Sequence, residues 1–168
     1  MKRIYLLRHA KSSWDDTSLP DHDRPLAGRG RRAAKAIARH MRDSDIEPEL
    51  VLCSTARRAR ETLDRIEAAL GGAAIEIESD LYAASATTLL QRLRSVPDTV
   101  DSVLLIGHNP GLQDLALELA RPSPRTDDLA AKYPTAALAT LEASASTWRE
   151  LDRSSAELVE LVRPRDLT

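Results

Sequence analysis

An α/β sandwich around a mostly parallel, mixed sheet is the fold class this sequence predicts. Residues 4–7, 50–53 and 103–106 are short, wholly apolar runs, which is how strands buried on both faces of a parallel sheet read. Apolar residues between and after these runs recur at helical spacing. Strand alternating with helix is satisfied by right-handed crossovers that place helices on both faces of one sheet.

In chain order, Ile4-Tyr5-Leu6-Leu7 is the first strand. Ala33, Ala34, Ile37, Ala38 and Met41 form the apolar stripe of a first helix. Leu50-Val51-Leu52-Cys53 is a strand, and Ala59, Leu63, Ile66 and Leu70 mark the helix after it. Ile75-Glu76-Ile77 reads as a weaker strand, and Leu89, Leu90 and Leu93 as a short helix. Val103-Leu104-Leu105-Ile106 leads into a helix carried by Leu112, Leu115, Ala116 and Leu119. Residues 121–135, with Pro122, Pro124 and Pro134, read as a loop. Residues 136–141, 147–151 and 157–162 read as strands, antiparallel at a sheet edge. The pattern shows no internal repeat, no low-complexity tract and no second domain, so one domain is expected over residues 1–168.

Composition narrows the function. With 42% hydrophobic residues the chain can build a core, and with no Phe it must build it from Leu, Ile, Val and Ala. A formal net charge of -2 gives no global field for nucleic acid or an anionic membrane. The single cysteine, Cys53, excludes an intrachain disulfide and a cysteine-rich zinc site. No apolar run approaches the ~20 residues that span a bilayer, and the first run is too short for a signal peptide. The cytoplasm is the expected compartment.

The chemistry-bearing residues fall just past the strand ends. Arg8-His9 follows the first strand, Gly107-His108 follows a later one, and Ser54 leads into the helix that carries Arg58. In open α/β sheets ligands bind beyond the carboxyl ends of the strands, so Arg8, His9, Arg58 and His108 are expected to open into one cleft. Asn109 and Pro110 suit the first positions of a helix whose free amides favour an anion. Ser54 is expected to cap the helix carrying Arg58, and Gly107 to let the backbone pass close beside His108. Two guanidinium groups and two imidazoles around one cleft suit a phosphoryl group. Lys11, Ser12 and Asn109 are further candidates for substrate contact, and Trp14 for either the cleft entrance or a packing anchor.

The ordered set Arg8-His9, Ser54-x-x-x-Arg58-Ala59 and Gly107-His108 resembles the histidine phosphatase superfamily, with Ala10 in place of the commoner glycine after Arg-His. Leu7-Arg8-His9-Ala10-Lys11-Ser12-Ser13-Trp14, Asp23-Arg24-Pro25-Leu26 with Arg29-Gly30, and Val162-Arg163-Pro164-Arg165-Asp166-Leu167 are similar to the short, SixA-type phosphohistidine phosphatases. The resemblance implies a three-layer α/β/α sandwich of the phosphoglycerate mutase-like kind. It implies His9 as nucleophile forming a covalent phosphohistidine, with Arg8, Arg58 and His108 holding the phosphoryl oxygens. No metal and no organic cofactor is implied. The chain has no room for the large helical lid of small-molecule members, so an open cleft facing a phosphorylated protein is expected.

A neutral imidazole must attack phosphorus, and nearby Arg8 and Arg58 disfavour further positive charge on His9. The proton donor to the leaving group is not legible. Glu78 and Asp80 match no family acid, and Asp15, Asp16, Asp21 and Asp23 read as solvated or capping charges. A phosphoramidate leaving group is itself basic and has less need of a dedicated acid. Cys53 does not make a cysteine-dependent phosphatase, because its spacing to Arg58 is one residue too short. A nucleotide-binding fold is disfavoured, since no Gly-rich loop follows the first strand. Three functions stay open: a phosphatase of protein phosphohistidine, for instance on a histidine phosphotransfer domain in signal transduction; a general or small-molecule phosphomonoesterase; and a noncatalytic phospholigand-binding module. His22 and His40 have no metal-ligating partners at suitable spacing.

Overall fold

The computed structural model describes residues 1–167. Six strands form one sheet: β1 (Lys2–Arg8), β2 (Leu50–Ser54), β3 (Ala74–Glu78), β4 (Ser102–Gly107), β5 (Leu138–Ala143) and β6 (Ala156–Val162), in the order β3-β2-β4-β1-β5-β6. Pairing is parallel from β3 through β1 and antiparallel at β1–β5 and β5–β6. Five α-helices cover the sheet: α1 (Gly28–Asp43), α2 (Arg57–Ile66), α3 (Ala86–Arg94), α4 (Gly111–Leu119) and α5 (Pro124–Ala131).

The alternation of side chains along each strand makes three layers. Tyr5, Leu7, Val51, Cys53, Leu104 and Ile106 point to the face covered by α1 and α2. Ile4, Leu6, Leu52, Val103 and Leu105 point to the face covered by α3, α4 and α5. Both faces of β1, β2 and β4 are therefore apolar, which is why their sequences read as continuous runs. β3 lies at the sheet edge with Ile75 and Ile77 exposed, which explains its weaker signal. Between β3 and β4 the chain holds only a 3-10 turn and the short α3, so no large lid insertion is present.

Two expectations are corrected in the carboxyl half. The stretch 121–135 is not all loop, because residues 124–131 form α5. Pro124 occupies the first helical position, where its missing N–H is harmless, and Ser123 and Thr126 form a reciprocal capping box before it. Residues 147–151 are not a strand: Trp148–Glu150 is a 3-10 turn. Trp148 is fully buried there, its indole donating to the Val100 carbonyl at 2.7 Å, and the hydroxyls of Ser146 and Thr147 donate to Glu150.

Glycine matters most where helices meet loops. A Cβ on Gly30 would fall 2.1 Å from the Lys11 carbonyl oxygen, so glycine lets α1 press its first turn against the segment after β1. A Cβ on Gly111 would meet the Ala84 carbonyl oxygen at the same distance of 2.1 Å. At Gly107 a Cβ would meet only side-chain carbons, the nearest at 3.3 Å, so the close main-chain approach expected there is absent. Replacing Gly30 by Ala should destabilise the fold by about 1–3 kcal/mol through overpacking against main chain. Urea unfolding measures this, and an unchanged midpoint would contradict the close approach.

Candidate active site

Sheet register brings the chemistry to one edge. Arg8 pairs with Gly107 across β1–β4, and Cys53 pairs with Ile106 across β2–β4. His9 and His108 therefore leave the sheet at the same level, with Ser54 one residue behind them at the end of β2. The His9 amide donates to the Gly107 carbonyl at 3.0 Å, and the two imidazole centroids lie 5.1 Å apart. Arg58 reaches the same place from the first turn of α2. Arg8, His9, Arg58 and His108 are thus brought together.

The hydrogen bonds of His9 fix its tautomer. Nδ1 lies 2.8 Å from the Ala10 carbonyl, which can only accept, so Nδ1 carries the proton. Nε2 then presents a lone pair, and the Arg58 Nε–H points at it from 3.4 Å. Burial, then the neighbouring His108, Arg58 and Arg8, lower the pKa of His9 to about 3, against a smaller opposing effect of the Ala10 hydrogen bond. His108 is lowered to about 4 by burial and by Arg58. Its Nε2 sits 2.7 Å from Ser54 Oγ, which already accepts from the Ala56 amide. With the Ser54 hydroxyl donating to this ring nitrogen, the proton lies on the buried Nδ1, which has no partner in the protein.

Arg58 is held from behind. Its Nη1 donates to the Asp21 carbonyl at 2.7 Å and its Nη2 to Asp21 Oδ2 at 3.0 Å. Tyr82 donates its hydroxyl to the same carboxylate oxygen, and its ring meets His108 edge-on at 5.4 Å. Tyr82 and Arg58 together keep the Asp21 carboxyl below its usual range, so it is ionised at neutral pH. Arg8 donates from Nη1 to the Tyr133 carbonyl at 3.1 Å, and its buried Nε has no protein partner. The arrangement offers two neutral imidazoles, one with a lone pair and one with a spare N–H, between two guanidinium groups.

Residues 4–89 match the family model of the histidine phosphatase superfamily (branch 1). An uncharacterized protein of Mycobacterium leprae is 36% identical over 167 residues, covering 95% of this chain and the whole of that protein. The chain belongs to the histidine phosphatase superfamily. Among solved structures, the candidate phosphohistidine phosphatase SixA of Agrobacterium tumefaciens superposes with a TM-score of 0.84 at 31% identity, covering 97% of this chain and 98% of that one. The candidate SixA of Nakamurella multipartitia gives a TM-score of 0.85 at 29% identity, over 97% and 96% of the two chains. The superfamily member described here is thus SixA-type in fold over 97% of its length.

The other site candidates of this superfamily member separate into two groups. Lys11 lines a cavity with Arg8 and Asn109. Asn109 donates to the Tyr133 carbonyl at 3.2 Å, the carbonyl that also receives Arg8. Its own carbonyl accepts from the Gln113 amide at 3.3 Å, so it satisfies an amide of α4 from the residue before the Pro110 cap. Ser12 is buried and accepts from Arg24 Nη2 at 2.6 Å. Ser54 does not cap α2, whose cap position is Ala56 with no side-chain bond; it orients His108 instead. Trp14 is exposed, with the Arg24 guanidinium stacked 3.5 Å from its ring.

Among the carboxylates, Glu78 is paired with Arg92 at 2.7 Å and Asp16 accepts from the Ser18 hydroxyl. Cys53 is buried and its thiol is pushed up to about 12 by desolvation, which suits a packing residue and not a nucleophile. His40 pairs with Glu160 at 3.1 Å, and His22 bonds Thr55 at 2.9 Å and packs on Tyr82. Sequence reasoning missed Asp21 and Tyr82 as partners of the pocket. Asp21 lies in a 3-10 turn with no periodicity to flag it, and no spacing rule links it to Tyr82.

Both imidazoles are expected to stay neutral at pH 5, His9 as the Nδ1–H tautomer. Long-range proton–nitrogen NMR reads this directly, and a charged His9 at pH 5 would contradict the desolvated pocket. The same depression sets a stability trend. The unfolded chain takes up these protons near pH ~6.5, whereas the folded chain resists until about 4 and 3. Stability is therefore full above pH ~6.5 and declines as pH falls below it, because the unfolded state then binds more protons. Thermal unfolding of wild type and a His9→Ala/His108→Ala variant from pH 7 to 4 should show a shallower decline in the variant.

Proposed function

We propose that the protein hydrolyses phosphohistidine on a protein substrate through a covalent phospho-His9 intermediate. The observation that carries this reading is the His9 tautomer: Nδ1–H is committed to the Ala10 carbonyl, so Nε2, met by the Arg58 Nε–H at a long 3.4 Å, keeps a lone pair with no proton to be removed first. In the first step Nε2 bonds to phosphorus as the substrate's phosphorus–nitrogen bond breaks. The departing imidazole keeps the electron pair and leaves neutral because its ring nitrogen is protonated. In the second step water attacks the phosphorus on His9, its proton goes to solvent as phosphate forms, and His9 is restored.

Arg8, Arg58 and the spare Nδ1–H of His108 hold the phosphoryl oxygens through both steps. The two guanidinium groups supply the positive charge these oxygens require, so the reading gives no task to a metal or an organic cofactor. Lys11 and Asn109 border the phosphoryl site, and Asp21 and Tyr82 keep Arg58 aimed.

The leaving group argues for a phosphoramidate over an alkyl ester. Asp21, the carboxylate in contact with this pocket, is ionised and hydrogen-bonded, and so holds no proton to give an alkoxide. An imidazole leaving group is basic enough to arrive protonated. The family match and the likeness to candidate SixA phosphohistidine phosphatases support the same substrate class. In this reading the histidine phosphatase domain spans residues 1–168, consistent with β1 and β6 lying in one sheet, and acts in the cytoplasm on phosphotransfer proteins in signal transduction.

His9→Ala should abolish turnover and leave no acid-labile phosphoenzyme after incubation with phosphorus-32-labelled substrate; a variant that still traps label would remove His9 from the nucleophile's role. Arg58→Ala should lower kcat by roughly 10²–10³-fold and weaken inhibition by inorganic phosphate. Steady-state assays on phosphohistidine protein, phosphoserine peptide and sugar phosphates rank the substrates. A higher kcat/KM on a sugar phosphate than on phosphohistidine would overturn the proposed substrate in favour of a small-molecule phosphomonoesterase. Binding without hydrolysis of any of them would leave only a phospholigand module.

A further inference from the structure

The chain has a net charge of -2, yet one side of its pocket is uniformly basic. A cavity of about 470 Å³ opens from Arg8 and is lined by Lys11, Arg29, Lys132 and uncharged residues. A second, of about 250 Å³, shares Lys11, Arg29 and Lys132 with it and continues to Arg163 and Arg165. Neither has an aspartate or glutamate in its lining. Three other surface cavities each mix both signs, such as Arg94 and Arg149 with Asp98, or Arg31 and Arg57 with Glu61 and Asp64.

The cations of this trough are placed by the fold. Gly30 lets α1 lie on the Lys11 main chain, which sets Arg29 beside Lys11 just two residues past His9. Lys132 follows α5, and Arg163 follows β6. Arg163 spends its side-chain donors on the Lys132 and Asp128 carbonyls, which fix the guanidinium without neutralising it. Asp166 is the nearby acid: it accepts from the Arg163 amide and lies 3.9 Å from Arg165. Lys11, Arg29 and Lys132 have no side-chain ion pair or hydrogen bond among the described residues.

We infer that this trough docks an acidic segment of the phosphorylated protein substrate, with aspartate or glutamate side chains beside the phosphohistidine. The inference rests on the function proposed above and adds the charge of the partner. Charge complementarity identifies the occupant. The length of the trough favours a peptide segment over a compact bisphosphate, which would fill only the part next to Arg8. Ala33, Pro134 and Pro164 in the outer part give apolar contact between the cations. Steering by such a stripe acts on association and weakens with salt.

The test uses the full chain and an Arg29→Glu/Lys132→Glu variant. The substrates are two phosphohistidine peptides of equal length, one with Asp and Glu flanks and one with Asn and Gln, and p-nitrophenyl phosphate as the fold control. In low salt the wild type should favour the acidic peptide by ~10-fold or more in kcat/KM, and the preference should collapse in 0.5 M salt (roughly, from a Debye length of a few ångströms). The variant should lose the preference while its kcat on saturating p-nitrophenyl phosphate, which reads the chemical step and not anion capture, stays within about twofold of wild type. No wild-type preference, or a preference that survives the charge reversal, overturns the inference. If neither phosphohistidine peptide is cleaved, the proposed substrate fails, and the trough is read from inhibition instead. Inhibition of p-nitrophenyl phosphate hydrolysis by an unphosphorylated acidic peptide, lost in the variant, upholds acidic docking. Equal inhibition of both proteins, or stronger variant-sensitive inhibition by a small bisphosphate, overturns it.

Discussion

Burial and two neighbouring guanidinium groups strip the proton from His9 and His108, and the rest of the site is arranged around that condition. Four potentially cationic side chains share one pocket, His9, Arg58 and His108 buried and Arg8 half-buried. Such a cluster tolerates Arg8 and Arg58 as cations only because both imidazoles stay neutral and because Asp21 stands behind Arg58. The unsatisfied polarity is what an anion would relieve. The orphaned Arg8 Nε and His108 Nδ1 are donors with no protein partner, and buried donors of that kind are rarely left unused.

The scaffold delivers this crowding through register. Because β1, β4 and β2 are parallel and aligned, residues that follow their apolar runs emerge at one level. A one-residue slip of β1 would exchange its two buried faces and carry Arg8 and His9 away from His108. With both faces apolar, the register of β1 is held by a polar anchor at its start, where the buried Lys2 ammonium donates to the Asp98 and Val100 carbonyls and to Asp101, and that anchor also sets the spacing of the imidazoles. The two layers of helices then close the pocket from either side: α2 brings Arg58, and α4 seats its first turn under the Tyr82 segment through Gly111.

That logic explains what could be read from the chain directly. The strands β1, β2 and β4 are visible because burial on both faces leaves no polar interruption, and the four cleft residues are visible because they sit immediately past those runs. β3 was faint because an edge strand needs no apolar face. The carboxyl half misled for identifiable reasons. Three prolines suggested a loop over 121–135, but Pro124 at a helix start is favourable, and Ser123 with Thr126 carried the capping signal. Thr147-Trp148 looked strand-like by propensity, yet the burial of one indole on the Val100 carbonyl decided the conformation. Asp21 and Tyr82 were out of reach for a different reason: their part is played through contacts 61 residues apart, in segments without periodic structure.

The distribution of the indoles has a practical corollary. Trp148 is sealed in the core, whereas Trp14 is the exposed one, lying under the guanidinium of Arg24, which itself contacts Asp21 at 3.5 Å. With no other tryptophan in the chain, any ligand that rearranges Asp21 disturbs a single solvent-facing fluorophore against a constant background. Binding that shifts Asp21 would thus be legible in Trp14 emission without a label.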